Sequence, residues 1–164
     1  MQTQEWTALA GVAVGGGLSY LTQFTTARQT AKNEERRAAA QRAETRRTEQ
    51  VELLRGFIAI AQQAVRHAEL RELAAERSAD DWGAATTPDW LTEARGLIDR
   101  LFVTERMIHV LFPREFSRCA WDYATVVNKV MWREPGEIAA EGSMWSVLQQ
   151  PQRAFLTAAR EAIG

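Results

Sequence analysis

The side chains that most often carry chemistry are few in this sequence, and their spacing matches no known catalytic or metal-binding motif. The two histidines are His67 and His109, and the one cysteine is Cys119. A single cysteine excludes an internal disulfide and any multi-cysteine metal site, and neither His-x-x-x-His nor His-Glu-x-x-His occurs. Cys119 and His109 as a nucleophilic pair is an open alternative without supporting spacing. We predict no catalytic residue, no metal and no cofactor, and hence no enzyme.

The remaining polar and aromatic clusters have a structural reading and a functional one. Asp80-Asp81 is predicted to be a solvated loop, because no Glu-x-x-His motif accompanies it to form a bundle metal site. Residues 15–17 are three glycines without the lysine of a phosphate-binding loop. Four tryptophans flank predicted loops, where they either seal the ends of a core or form a partner-binding patch: Trp82, Trp90, Trp132 and Trp145. No small-molecule substrate is evident.

The longest uncharged stretch of the chain lies near its start. No charged side chain occurs between Glu5 and Arg28, and the 22 residues from Trp6 to Ala27 would span about 33 Å as a helix. A bilayer core is about 30 Å thick, so we predict an N-terminal transmembrane anchor over residues 1–27. Four glycines and several polar residues leave two alternatives, a surface helix of low polarity or a glycine-rich leader.

Small residues recur at intervals of four within this stretch. Gly11 and Gly15 form a Gly-x-x-x-Gly pair, and Ala13 with Gly17 continues the pattern. Such residues allow two membrane helices to approach closely. They predict packing between two copies of the chain, or against another membrane protein's helix. The alternative is the general abundance of glycine in membrane helices.

The segment after the uncharged stretch is basic. Residues 28–50 carry seven bases and four acids, a net charge of +3, whereas only Glu5 is charged before it. The positive-inside rule then predicts a single-pass inner-membrane protein with its N-terminus outside and its C-terminal domain in the cytoplasm. Arg28, Lys32 and Arg36 share one helical face that could contact lipid headgroups, unless they serve only as a topology signal. Interleaved acids, and an overall charge of −1, argue against nucleic acid as a partner.

Helical patterns cover the rest of the chain. Residues 28–50 have no bulky apolar side chain and predict a long charged helical stalk. From residue 51, apolar residues recur at spacings of three and four, as in Val51, Leu54, Ile58, Ala61, Val65 and Ala68. Three further stretches repeat this pattern and no stretch alternates as a strand does. We predict an all-α protein whose residues 51–164 form an antiparallel four-helix bundle.

Prolines and capping residues predict the helix boundaries. Thr87 and Pro88 should begin a helix, Pro113 should end it, and Ser143 should cap the last one. The Glu134-Pro135-Gly136 triplet should interrupt the pattern. Pro151 should kink or split the last helix, because proline lacks one backbone donor.

Arginine outnumbers lysine eighteen to two. The chain also contains, in this order, EWTALAGVAVGGGLSYLTQ, an Arg/Ala/Glu-rich segment, VELLRGFIAIAQQA and LIDRLFVTERMIHVL. In these features it resembles small actinobacterial single-pass membrane helical proteins of unknown function. The resemblance implies a membrane-anchored helical protein and supplies no activity or site.

These patterns favour a membrane-anchored, non-enzymatic scaffold or protein-interaction module at the cytoplasmic face, acting as a homo-oligomer or with another membrane protein. The alternative is a membrane-active effector that is holin-like or pore-forming and oligomerises through its glycine-rich segment.

Overall fold

The computed structural model describes the backbone of residues 3–77 and 82–163, and side-chain surroundings in 32–76 and 82–163 except residue 139. These residues form α-helices and no strand, which confirms the all-α prediction. The helices are α1 (Thr3–Arg77), α2 (Trp82–Ala85), α3 (Pro88–Leu111), α4 (Arg114–Trp132), α5 (Pro135–Glu141) and α6 (Met144–Ile163).

None of the helices in the described residues combines the length and the apolar character needed to cross a membrane. The transmembrane anchor predicted over residues 1–27 is therefore not confirmed.

Contacts within the chain define two units, Met1–Arg46 and Arg47–Gly164. In the first unit the backbone is helical from residue 3, as part of α1. Its described side chains, from residue 32 onward, are exposed except for the half-buried Ala38. This exposure follows from composition, because a helix without bulky apolar residues has no face to bury.

The second unit is a helical bundle around a cluster of aromatic rings. The rings of Phe57 on α1 and Phe155 on α6 lie 5.0 Å apart. Phe155 also contacts the rings of Phe116 and Tyr123 on α4, at 5.5 and 5.7 Å. Burial of one such ring contributes about 1.5–3 kcal/mol, so this cluster is a main link between α1, α4 and α6. The predicted helical bundle is confirmed.

Most positions of the apolar stripes are buried, although Val51 and Ile58 of the first stripe are only half-buried. Their helical spacing also predicts that Leu111, Leu156 and Cys119 face the core, but Leu111 and Leu156 are exposed and Cys119 is half-buried. Leu111 is the last residue of α3, where the chain leaves the helix and fewer neighbours surround a side chain. Helical spacing alone therefore overestimates burial at these positions.

The predicted start of α3 is confirmed in atomic detail. The Thr87 hydroxyl accepts a hydrogen bond from the Trp90 backbone N–H at 3.1 Å, and Pro88 occupies the first turn, where no intrahelical donor is needed. Phe112 and Pro113 then separate α3 from α4. This short connection holds the end of α3 beside the start of α4.

The Glu134-Pro135-Gly136 triplet interrupts the helical pattern as predicted, because α4 ends at Trp132 and the short helix α5 begins at Pro135. Glu134 and Glu137 form a capping box at this start, and Pro135 lies in the first turn. Of the two outcomes predicted for Pro151, a kink or a split, the split is wrong, since Pro151 lies inside a continuous α6. Leu148 and Phe155 are buried on either side of Pro151, and their packing offsets the one missing backbone hydrogen bond.

Candidate functional site

Four polar side chains are buried among the described residues, namely Arg71, Glu105, Ser117 and Arg133. Burying a charge is costly unless it is paired and hydrogen-bonded. The hydrogen-bond and ion-pair partners of each residue therefore indicate whether its charge has a structural role in the bundle.

Each nitrogen of the Arg133 guanidinium donates to a partner in the chain. Its Nε donates to Glu72 Oε1 at 2.7 Å and its Nη2 donates to Glu72 Oε2 at 3.0 Å, a two-pronged ion pair. Its Nη1 donates to the Gly142 carbonyl at 3.2 Å. Arg133 therefore ties α1 to the residues that precede and follow α5, which is a structural role.

Arg71 lies beside this pair, between two indole rings. Its guanidinium carbon is 4.4 Å from the ring centroids of both Trp82 and Trp90. Its Nη2 donates to the Arg133 carbonyl at 2.9 Å, while its Nε has no partner among the described residues. Burial lowers the pKa of Arg71; Glu72 opposes this shift and Arg133 adds to it. Stacking on two aromatic faces compensates part of the desolvation.

His67 extends the same stack. Its ring is nearly parallel to that of Trp90, with centroids 5.0 Å apart. The Trp90 Nε1 donates to the His67 carbonyl, and His67 Nε2 lies 3.2 Å from the Trp90 carbonyl. We call these residues the arginine–tryptophan cluster: His67, Arg71, Glu72, Trp82, Trp90 and Arg133. Most hydrogen bonds of the cluster join its own members, so the cluster links α1 to α3 and to the residue after α4.

A cleft between the end of α3 and the start of α4 differs from this cluster. The α3–α4 cleft has a volume of about 860 Å³. It is lined by charged, apolar and hydroxyl side chains: Glu105, Arg106, His109, Val110, Arg114, Glu115, Ser117, Arg118 and Trp121.

Glu105 is the buried charge of the cleft. The residue is only 4% exposed and lines the cleft, and its carboxyl oxygens are not among the fully buried atoms without a partner, of which the described residues have only Arg71 Nε. Burial raises the pKa of Glu105 above its ordinary value of 4.5, and the nearby charges of His109 and Arg106 oppose the shift without cancelling it. The neighbouring buried hydroxyl of Ser117 donates to the Pro113 carbonyl at 3.1 Å and is not a partner. The cleft thus contains a carboxyl group whose charged form is disfavoured by burial.

The outer face of α3 is unusually apolar for an exposed surface. Val103, Met107 and Val110 are 60%, 50% and 75% exposed and follow one another at helical spacings of four and three. Val110 also lines the cleft, together with the half-exposed Trp121. The ring centroids of Trp121 and Phe102 are 5.5 Å apart. Exposed apolar side chains that adjoin one another are typical of interaction sites.

The residues singled out from sequence are mostly dispersed. Lys32 and Arg36 are exposed, as lipid contact would require. The structure gives no surroundings for five others, which lie outside the residues with described side chains: Gly11, Ala13, Gly15, Gly17 and Arg28.

The histidines and the cysteine are not brought together either. Cys119 makes no hydrogen bond to His109 or to His67 in the described part of the chain. In the same part, no three side chains of the histidine, cysteine, aspartate or glutamate type form a metal-binding group. Asp80-Asp81 lies outside the described residues.

The tryptophans were predicted either to seal the core or to form an exposed patch, and different tryptophans follow each alternative. Trp90 is buried and contacts the half-buried Trp132 ring at 5.9 Å, so these two close the core. Trp145 and Trp121 are exposed. Sequence reasoning missed Glu105, although a signal existed: it follows Leu101 by four residues and precedes Ile108 by three, on the buried face of α3.

Comparisons of the chain with protein-family models, with curated proteins and with solved structures gave no match. The resemblance to small actinobacterial membrane proteins stays a prediction, and the functional argument rests on the described residues and the sequence.

Proposed function

We propose that this protein is a membrane-anchored, non-enzymatic interaction module whose helical bundle pairs with a second copy of the chain. The observation that carries the proposal is the apolar outer face of α3, formed by Val103, Met107 and Val110. Homodimer interfaces are richer in apolar area than the rest of a protein surface, and this face has no cover within the described residues.

The two faces of α3 are opposite by helix geometry. Leu101 and Ile108 are buried in the core, and Val103 and Val110 occupy the positions two residues later. Each residue advances the helix by about 100°, so the second pair points about 200° away from the first. The exposed pair therefore faces directly away from the bundle and is free to meet another helix.

A second copy fits this face by symmetry and by charge. An antiparallel pair of α3 helices, related by a two-fold axis near Met107, places Val103 of each copy against Val110 of the other. Asp99 lies one turn before Val103, and Arg114 lines the cleft beside Val110. The same axis then brings the Asp99 carboxylate of one copy near the Arg114 guanidinium of the other.

The membrane part of the proposal rests on sequence. The uncharged run between Glu5 and Arg28, followed by the +3 segment 28–50, supports a single-pass inner-membrane anchor with the bundle in the cytoplasm. Exposed Lys32 and Arg36 are available to anionic headgroups. Packing of anchors through Gly11, Ala13, Gly15 and Gly17 would reinforce pairing of the bundles.

Membrane fractionation tests the anchor. The full chain should sediment with membranes, resist carbonate washing and dissolve only in detergent, whereas a variant lacking residues 1–27 should stay in the supernatant. A full chain that stays soluble without detergent contradicts the anchor. Growth inhibition on expression that disappears with the deletion would instead support the membrane-active effector.

Disulfide trapping tests the pairing. In a Cys119→Ser background, Met107→Cys should form a covalent dimer on mild oxidation, because the two-fold axis passes near this position. Leu70→Cys, on the exposed side of α1, is the matched control and should remain monomeric. Equal trapping at both positions, or none at either, would contradict this interface.

Light scattering of the full chain provides a second readout. The Val103→Ser and Met107→Ser double variant should reduce the dimer mass toward the monomer, whereas Leu70→Ser with Leu73→Ser should not. All four side chains are exposed, so neither variant should change the stability of the bundle by more than about 0.5 kcal/mol. Unchanged mass in the first variant would count against the α3 face.

A further inference from the structure

Arg71 has the one fully buried side-chain nitrogen that lacks a hydrogen-bond partner among the described residues. The residue is 4% exposed, and the atom without a partner is its Nε. A buried donor without a partner is destabilising, and more so when it belongs to a charged group. An acceptor placed at Nε would therefore stabilise the folded chain, and this atom marks a position where a ligand can bind.

The charge of Arg71 favours an anion over a neutral acceptor at this position. Both carboxylate oxygens of the neighbouring Glu72 accept from Arg133, at 2.7 and 3.0 Å. Arg71 donates from Nη2 to the Arg133 carbonyl at 2.9 Å, which is a neutral acceptor. Burial lowers the pKa of Arg71, and the charge of Arg133 adds to this shift while Glu72 opposes it. A bound anion would stabilise the buried guanidinium.

The contacts of the guanidinium restrict the size and shape of this anion. Its carbon is 4.4 Å from the ring centroids of both Trp82 and Trp90, so indole rings limit the approach to the group. In Arg133, Nε and Nη2 together bind the two oxygens of one carboxylate. In Arg71, Nη2 already donates to a carbonyl, and Nε is the member of this pair without a partner. Carboxylates and phosphates are bound best by two adjacent donors, so a single free donor favours a monatomic anion.

We infer that the arginine–tryptophan cluster binds a chloride ion at Arg71 Nε, beside the rings of Trp82 and Trp90. Chloride is monatomic, carries one negative charge and accepts a hydrogen bond from any direction. It would give the buried Nε a partner and the guanidinium a counter-ion. Binding involves no covalent step. The site uses residues outside the α3 face, and the inference holds whether or not two copies of the chain pair.

Urea denaturation of the full chain at several chloride concentrations tests this site, with the ionic strength held constant by gluconate. A ligand that binds only the folded state raises the folding equilibrium constant, by about tenfold for each tenfold increase in ligand once the site is nearly full. Chloride should produce this rise, whereas acetate and phosphate should produce a smaller one because they need two donors. No rise with chloride, or equal rises with the three anions, overturns the inference.

Variants and a heavier halide locate the ion. Arg71→Gln should remove the dependence of stability on chloride, whereas Arg95→Ala, at an exposed arginine of α3, should retain it. Equal dependence in the two variants contradicts the assignment. If Arg71→Gln does not fold, crystals of the unmodified protein grown with bromide decide the question. An anomalous scattering peak beside Arg71 Nε supports the site, and the absence of a peak there overturns it.

A further double variant separates chloride from acids of the chain itself. Asp80→Asn with Asp81→Asn should leave the dependence of stability on chloride unchanged. A dependence that appears only in this double variant would assign Arg71 to a carboxylate of the chain and would overturn the inference.

Discussion

Arg133 and Glu105 are buried to nearly the same extent, but their surroundings are opposite. Arg133 is 1% exposed and forms a two-pronged pair with Glu72 and a third bond to a carbonyl. Glu105 lines a cleft and has no such partner in the described residues. The first charge is part of what holds the bundle together. The second borders the cleft, and burial disfavours its charged form.

Removal of Arg133 should have the largest effect. Arg133→Ala leaves Glu72, which is largely buried, without its partner, and should lower the free energy of unfolding by about 3–5 kcal/mol. Urea denaturation followed by circular dichroism measures the change. A loss below about 1 kcal/mol would mean that the pair behaves as a surface salt bridge. Arg133 would then contribute no more to stability than an exposed charge does.

Removal of Arg71 should have the next largest effect. Arg71→Ala exposes the facing rings of Trp82 and Trp90 and deletes the bond to the Arg133 carbonyl. We expect a loss of about 2 kcal/mol in the free energy of unfolding, together with a change in tryptophan fluorescence. Arg95→Ala, an exposed arginine, is the control. Equal stability of the two variants would show that the stack contributes little.

Substitution of Glu105 should act in the opposite direction. Glu105→Gln should raise the free energy of unfolding at pH 7.5 by about 1 kcal/mol, because it removes a carboxylate whose charged form is disfavoured by burial. Burial holds the pKa of Glu105 in the folded state above its ordinary value of 4.5. The folded protein therefore binds the proton more tightly than the unfolded chain, and the cost of Glu105 is fully present above the folded-state pKa.

This difference between Glu105→Gln and the unmodified protein should depend on pH. It should shrink as pH falls through the range between the raised pKa and 4.5, and should vanish below that range. Chemical denaturation at several pH values measures it. A constant difference would show that the pKa of Glu105 is the same in the folded and unfolded states, and one that grows toward acid would show that the fold stabilises the charge.

The exposed pair of Arg55 and Glu52 should have the smallest effect. Arg55 Nη1 lies 2.8 Å from Glu52 Oε1, but both side chains are largely exposed. Glu52→Ala should change the free energy of unfolding by less than about 0.5 kcal/mol. Thermal denaturation of the variant and of the unmodified protein, at low and at high salt, measures this change. A cost near that of Arg133→Ala would mean that burial does not separate the two arginine–glutamate pairs.

Much of the fold was predictable because helices depend on local spacing. The apolar stripe of the first bundle helix, the cap at Thr87 and the absence of strands all follow from residue types and intervals. The α5 helix was missed because proline and glycine usually interrupt a helix, whereas here the capping box of Glu134 and Glu137 starts one over the same residues. The inner-face position of Glu105 was readable from its spacing to Leu101 and Ile108, but a buried acid is rare enough that spacing alone gave it no weight.

The sequence by itself determined the helical class, the division into an uncharged, a basic and a bundle-forming segment, and the absence of familiar catalytic motifs. These properties depend on neighbours along the chain. Only the tertiary structure decided that Arg133 meets Glu72, sixty-one residues away, while Glu105 lines a cleft between α3 and α4. Charge pairing across helices depends on which faces pack together, and no interval within one helix specifies that choice.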